Sequence, residues 1–204
     1  MKGYPNDLYI LAFDHRGTLT KGLLGVEGRQ PSEEEVARVS SMKDIIFDGF
    51  LEASSKGIEG GDPAILVDET FGIQVQNRAK DMGIKLAAPV EKSGQKIFDF
   101  EYGDNFGEKI KEVNADFVKI LVRWNPDDDS ETRQIQGERI KTLSDWLDEN
   151  ERKFLLEFLV PASEEQLASV DGDQSRYDSE IRPKLAVQVV EEMRERGADP
   201  DIWK

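Results

Sequence analysis

Two short apolar runs carry a charge where none is cheap. Lys119 lies inside FVKILV (117–122) and Glu157 inside FLLEFLV (154–160). A charge in such a run is costly to bury unless it is paired or functional. Strand alternation puts Lys119 on one face with Phe117 and Leu121, and Glu157 on one face with Leu155 and Leu159. Two readings are open: a buried ion pair between neighbouring strands, or an amine and a carboxylate in a reaction centre. Other ionisable residues follow the ends of similar runs. They are Asp14, His15 and Arg16; Asp68 and Glu69; Glu91 and Lys92; Arg123; and Lys204.

Each of these has a plain reading beside the chemical one. A single histidine after a strand is more often structural than catalytic. Asp68-Glu69 reads equally as a helix N-cap signal. Arg16, Lys92 and Arg123 together can bind a phosphate, though each alone reads as a solvated charge. Lys204 in isolation reads as an exposed residue. A third chemistry uses the carboxylates: Asp14, Asp68, Glu69, Glu91 and Glu157 offer oxygen ligands to Mg2+.

Composition removes whole classes. The 204 residues include no cysteine and one histidine, so thiolate chemistry, disulfides and multi-histidine metal sites are out. A net charge of -15 argues against nucleic acid or an anionic membrane as partner. No apolar signal region follows the N-terminus, and no run approaches the roughly 20 residues of a membrane span. The expectation is a cytoplasmic protein of one domain, residues 1–204.

The elements that must position these residues alternate. Strand-length apolar runs occur at 8–14, 64–68, 85–90, 117–122, 154–160 and 202–203. Helix signals lie between them, at about 32–56, 70–82, 105–113, 131–150 and 181–196. Ser32 and Glu35 form a candidate capping box, and Gly57, Gly83 and Gly197 are candidate stops. Ser163 to Gln166 is a candidate opening for a short helix. This alternation implies parallel βαβ units. Asp14-His15-Arg16-Gly17 is no glycine-rich phosphate fingerprint, and the ionisable residues cluster at several strand ends. Both features favour a (β/α)8 TIM barrel, whose active site gathers residues from the C-terminal ends of many strands. Six strands are present where a barrel needs eight. Either the barrel is truncated here after strand 6, or the sheet stays open.

The run LYILAFDHRGTL (8–19) resembles the opening of the tagatose 1,6-bisphosphate aldolase family. ILVDETFG (65–72), VEKSG (90–94), FVKILVRWNPD (117–127), FLLEFLVP (154–161) and PDIWK (200–204) continue the resemblance in order. The chain is more similar still to the aldolase-like C-terminal domain fused to 5-dehydro-2-deoxygluconokinase in bacterial inositol catabolism. PVEKSGQKIFDFEYG (89–103) and PDIWK are the most specific pieces.

The resemblance implies a Schiff-base (class I) aldolase barrel acting on a phosphorylated keto sugar or keto sugar acid, needing no metal and no organic cofactor. Lys204 would form the imine, Glu157 would shuttle protons and Lys119 would be the neighbouring lysine. Asp14, His15, Arg16, Glu69, Lys92 and Arg123 would serve the substrate. His15 departs from the tagatose aldolase pattern, where a glutamine is expected. The chemistry suits the residue types: an amine attacks a ketone only when unprotonated, and a second cation and removal from water both favour that form. Two alternatives stand beside it, a metal-dependent barrel lyase and a non-catalytic barrel domain that binds a sugar phosphate or packs on a kinase. Expected partners are a small phosphorylated sugar, a second copy of the chain, or a sugar-kinase domain.

Overall fold

The computed structural model describes residues 2–57 and 60–204. It contains one six-stranded parallel sheet in the order β1-β2-β3-β4-β5-β6. The strands are β1 (Leu8–Ala12), β2 (Asp62–Leu66), β3 (Lys85–Pro89), β4 (Phe117–Arg123), β5 (Lys153–Leu159) and β6 (Ile202–Trp203). All six runs picked out by their apolar character are strands, with ends shifted by one or two residues.

The crossovers carry α1 (Gly17–Leu24), α2 (Glu33–Gly57), α3 (Glu69–Asp81), α4 (Phe106–Val113), α5 (Ser130–Glu149), α6 (Glu164–Ala168), α7 (Gln174–Arg176) and α8 (Arg182–Glu195). Their boundaries follow from local chemistry. At α2, the Glu35 amide donates to Ser32 Oγ while Glu35 Oε2 accepts from the Ser32 amide. Asp68 caps α3 by accepting from the Phe71 amide, and Asp129 caps α5 by accepting from the Thr132 amide. Ser163 and Gln166 form a full capping box at α6. Gly83 and Gly197 follow α3 and α8 at φ of 70° and 92°, a region a side chain disfavours. Helix α1 is absent from the sequence-based expectation. Its start has no capping side chain, and only the left-handed Gly25 marks its end. Among the described residues, no helix is long and apolar enough to cross a membrane.

The sheet curls into a half-barrel. Adjacent strands lie about 4.8 Å apart, so three steps across a flat sheet would span roughly 14 Å. Yet Asp14, just past β1, meets Lys119 of β4 at 2.8 Å. The outer face packs on the helices, with Phe47 and Phe50 of α2 and Val75 and Ala79 of α3 on one side. Ile140, Leu143 and Leu147 of α5 and Val189 and Met193 of α8 cover the other. The concave face holds a smaller apolar layer of Leu66, Ala87, Phe117 and Leu155. Tyr4 packs against that layer, its ring 5.5 Å from Phe117. The N-terminal arm thus crosses the base of the half-barrel. The Tyr4 hydroxyl donates to Asp62 of β2, and the Gly3 amide donates to Asp201 beside β6 at 2.9 Å.

Candidate active site

The apolar layer ends one step up the strands, and charge replaces it. Lys119 follows Phe117 on the concave face of β4, and Glu157 follows Leu155 on β5. Asp14 follows Ala12, and Glu91 follows Pro89. Lys119 is 2% exposed and is surrounded by carboxylates. Its Nζ lies 2.8 Å from Asp14 Oδ2, 3.1 Å from Glu91 Oε1 and 3.2 Å from Glu157 Oε2. Asp14 and Glu91 accept hydrogen bonds from the ammonium, and Glu157 completes the ring of charge around it. Burial disfavours the Lys119 charge, but Glu91, Asp14 and Glu157 outweigh it and raise its pKa. Burial also favours the neutral form of Asp14, and here the charge and hydrogen bond of Lys119 prevail and lower its pKa. For Glu91 the balance reverses. Burial pushes its carboxyl up despite Lys119 and Arg16, and Oε2 is buried without a hydrogen-bond partner among the described residues.

Glu157 has a second partner. Its Oε1 accepts from Lys204 Nζ at 2.5 Å. The Lys204 backbone is registered on β5: its amide donates to Leu156 O at 2.9 Å and its carbonyl accepts from the Phe158 amide at 3.1 Å. The Lys204 side chain is 41% exposed, against 3% for that of Lys119. Of the two lysines, Lys204 is the one open to solvent.

A cavity of about 860 Å3 lies over this cluster. Asp14, His15, Arg16, Lys92, Arg123, Lys119, Glu157 and Lys204 all line it, so eight of the nine residues to which the resemblance gives catalytic or substrate roles converge. Glu69 does not. It sits in the first turn of α3, paired with Lys109 of α4 at 3.2 Å, and does not line the cavity. The structure therefore does not bring Glu69 together with the other eight. Arg16 lines the cavity but is engaged, donating to the Glu91 carbonyl at 2.9 Å and to Glu91 Oε1 at 3.0 Å. Lys92 and His15 are exposed, and Arg123 donates to the Gln95 carbonyl at 2.9 Å.

The distinctive stretch 89–103 forms one wall. It folds back on itself: the Lys92 amide donates to Asp99 O and the Glu101 amide to Val90 O. Gly94 makes the bend at φ 78°, and Phe98 is buried beneath it. Arg123 and Gln136 fasten this wall to β4 and α5, the latter by accepting from the Phe98 amide at 2.8 Å.

Two residues of the site region have no catalytic or substrate role in the sequence analysis. Glu91 was considered there only as a metal ligand. Lys43 was not considered, although its signal is present: it falls at helical spacing among Val39, Phe47 and Phe50, the buried stripe of α2. Asp68, another candidate metal ligand, is the partner of Lys43 and the N-cap of α3.

Over 199 residues the chain is 23% identical to the tagatose 1,6-diphosphate aldolase of Lactococcus lactis subsp. lactis, a match covering 95% of this chain. The chain spans about half the length of that relative, 56%. Residues 2–204 match the model of a family described as "Uncharacterized protein conserved in bacteria (DUF2090)", and the chain belongs to that family.

Proposed function

We propose that these six strands are the first six units of a (β/α)8 barrel, and that the barrel is a Schiff-base aldolase-type lyase with Lys204 as the imine-forming residue. The observation that carries this reading is the bridge formed by Glu157 between Lys119 and Lys204. Lys119 is fixed as an ammonium by three carboxylates and has no free electron pair to offer. Lys204 has one carboxylate partner and opens onto the cavity. Glu157 can take a proton from Lys204 as a ketone approaches. The freed amine adds to the carbonyl carbon, and the same carboxyl returns the proton as water leaves the carbinolamine. The carboxylate then takes the proton of the substrate hydroxyl, that oxygen forms the new carbonyl, and the iminium accepts the electron pair of the carbon–carbon bond that breaks, becoming an enamine. Lys119, 3.2 Å from the same carboxylate, holds it in place between these transfers.

Sequence similarity to a sugar-phosphate aldolase and the cations at the mouth, Lys92 and Arg123, support a phosphorylated keto sugar or keto sugar acid as substrate. The five carboxylates weighed as metal ligands are each already engaged by a cation. Asp14, Glu91 and Glu157 hold Lys119, Asp68 holds Lys43, and Glu69 holds Lys109. A lysine ammonium therefore takes the place between carboxylates that a metal ion would need.

The test is borohydride reduction of the full-length protein with dihydroxyacetone phosphate and candidate phosphorylated ketoses, followed by peptide mass mapping. The expected adduct is on Lys204 and disappears in Lys204→Ala. An adduct on Lys119 would keep the reaction class and exchange the roles of the two lysines. No adduct on either, with a substrate shown to bind, would leave a non-catalytic sugar-phosphate-binding domain as the better reading.

A further inference from the structure

We propose that Lys43, on α2 and outside the cavity, is a positioning residue: it locks the backbone on both sides of Asp14 and so holds that carboxylate against Lys119. The consequence for chemistry rests on the aldolase reading; the positioning itself does not.

Among the described residues β1 is an edge strand, paired with β2 alone. Its ladder ends where the Phe13 amide donates to Leu66 O at 2.9 Å. Asp14 lies one residue beyond that bond. There Lys43 takes over, its Nζ donating to Phe13 O at 2.8 Å and to His15 O at 3.0 Å. Its third proton goes to Asp68 Oδ1, whose other oxygen accepts from the Phe71 amide at 2.9 Å. The three donors of the ammonium are thus spent on the carbonyls flanking Asp14 and on the N-cap of α3. One residue of α2 therefore fixes the end of β1 against the β2–α3 corner.

Stability alone does not explain this arrangement. Lys43 is 0% exposed and Asp68 1%. A buried ion pair of this kind is often no better for stability than apolar side chains of similar volume. What apolar side chains cannot do is grip two carbonyls. Both carbonyls belong to the neighbours of the residue that meets Lys119 at 2.8 Å.

The experiment compares the full chain with a K43M/D68N variant, which removes both charges, leaves the local net charge unchanged and keeps a capping side chain on α3. The readout is the 13C NMR titration of the Asp14 carboxyl. The groups facing it are Lys119 from β4, Lys204 from β6 and Lys43 from α2, with Glu91 and Glu157 sharing Lys119. The variant is expected to fold, and Asp14 is expected to bind its proton about tenfold more tightly as it leaves Lys119. D68N alone, which keeps Lys43 beside both carbonyls, should shift the Asp14 titration far less than K43M/D68N does. A folded K43M/D68N with an unchanged Asp14 titration overturns the proposal. If that variant does not fold, K43Q/D68N is read in the same way, because the shorter amide cannot reach both carbonyls. The titration reports on position whether or not Lys204 forms an imine. A normal coupling with no borohydride adduct would therefore count against the aldolase reading alone.

Discussion

The Glu157 carboxylate divides its two oxygens between two lysines, Oε2 at 3.2 Å from Lys119 Nζ and Oε1 at 2.5 Å from Lys204 Nζ. The strand carrying Glu157 lies between the strands carrying the lysines, so the bridge follows from register. Glu157→Gln keeps the shape and removes both the charge and the base. On the aldolase reading, turnover by the full-length protein is expected to fall roughly 10²–10⁴-fold, the range for losing a general acid–base group. KM should change little, because Lys92 and Arg123 are untouched. A variant with raised KM and unchanged kcat would assign Glu157 to substrate binding instead.

Lys119→Met removes the one cation shared by Asp14, Glu91 and Glu157 and leaves three buried or half-buried carboxylates facing one another. Breaking a buried charge network by deleting one partner costs about 3–5 kcal/mol. Urea denaturation should show a loss of that size at neutral pH. The loss should shrink in acid, as the orphaned carboxylates take up protons. A loss independent of pH would point to packing rather than charge.

Asp14 and Glu91 touch the same ammonium, yet their stability contributions should run in opposite directions with pH. The Asp14 carboxyl is held below its ordinary value, so its contribution is present above about pH 3.9 and fades as pH falls through the lower folded value. The Glu91 carboxyl is pushed up by burial. The stability it confers is therefore present below about pH 4.3 and lost as pH rises through its folded value. Glu91→Gln cannot lose that contribution. Its stability relative to the parent chain should rise from pH 4 to pH 7, while that of Asp14→Asn falls as pH rises toward about 3.9 and is nearly level above it. Urea midpoints measured at several pH values check both signs. Parallel trends in the two variants would contradict the assignment.

The reaction-centre candidates were legible because charge inside an apolar run is anomalous. Lys119 and Glu157 break their runs, and both are at the site. The same anomaly at Lys43 is harder to see, because a helix dilutes its apolar stripe with polar residues between. Glu69 lies off the cavity because a carboxylate after a strand also begins a helix, and Asp68 beside it is the N-cap. Helix α1 left little trace, having no side-chain cap at its start. The N-terminal arm left none: Gly3 and Asp201 are 198 residues apart, and no local pattern encodes their contact.

That contact gives a further expectation. Asp201 accepts from the Gly3 amide at 2.9 Å, the Lys153 ammonium at 2.8 Å and the Phe154 amide at 2.9 Å. Its side chain is 3% exposed. It begins the short segment that places Lys204, and β6 itself is two residues long. Asp201→Ala should cost about 2–4 kcal/mol, because the Gly3 and Phe154 amides lose their acceptor. The loss should be local first. Hydrogen exchange at the Lys204 and Phe158 amides, which bond across β5 and β6, should accelerate more than exchange in β2 or β3. Uniform acceleration would mean that Asp201 supports the whole sheet rather than its last strand.

The half-barrel has two open edges, β1 and β6. β1 is the longer at five residues, and its outward-facing Tyr9 and Leu11 are 47% and 38% exposed. Unpaired backbone groups on an edge flanked by apolar side chains are a template for another chain. The N-terminal arm ties the base of the half-barrel together but leaves this edge uncovered, since its bonds go to Asp62 and Asp201. The 204-residue chain alone is therefore expected to self-associate, and sedimentation velocity should show a mass that rises with concentration. Leu11→Lys places a charge on the edge without touching the concave layer of Leu66, Ala87, Phe117 and Leu155. It should shift the chain toward monomer at the same concentration and leave its unfolding midpoint nearly unchanged. If Leu11→Lys associates as the parent does, the contact lies elsewhere, and β6 is the next edge to test. A parent chain that stays monomeric at every concentration would show that the open edge does not recruit a partner.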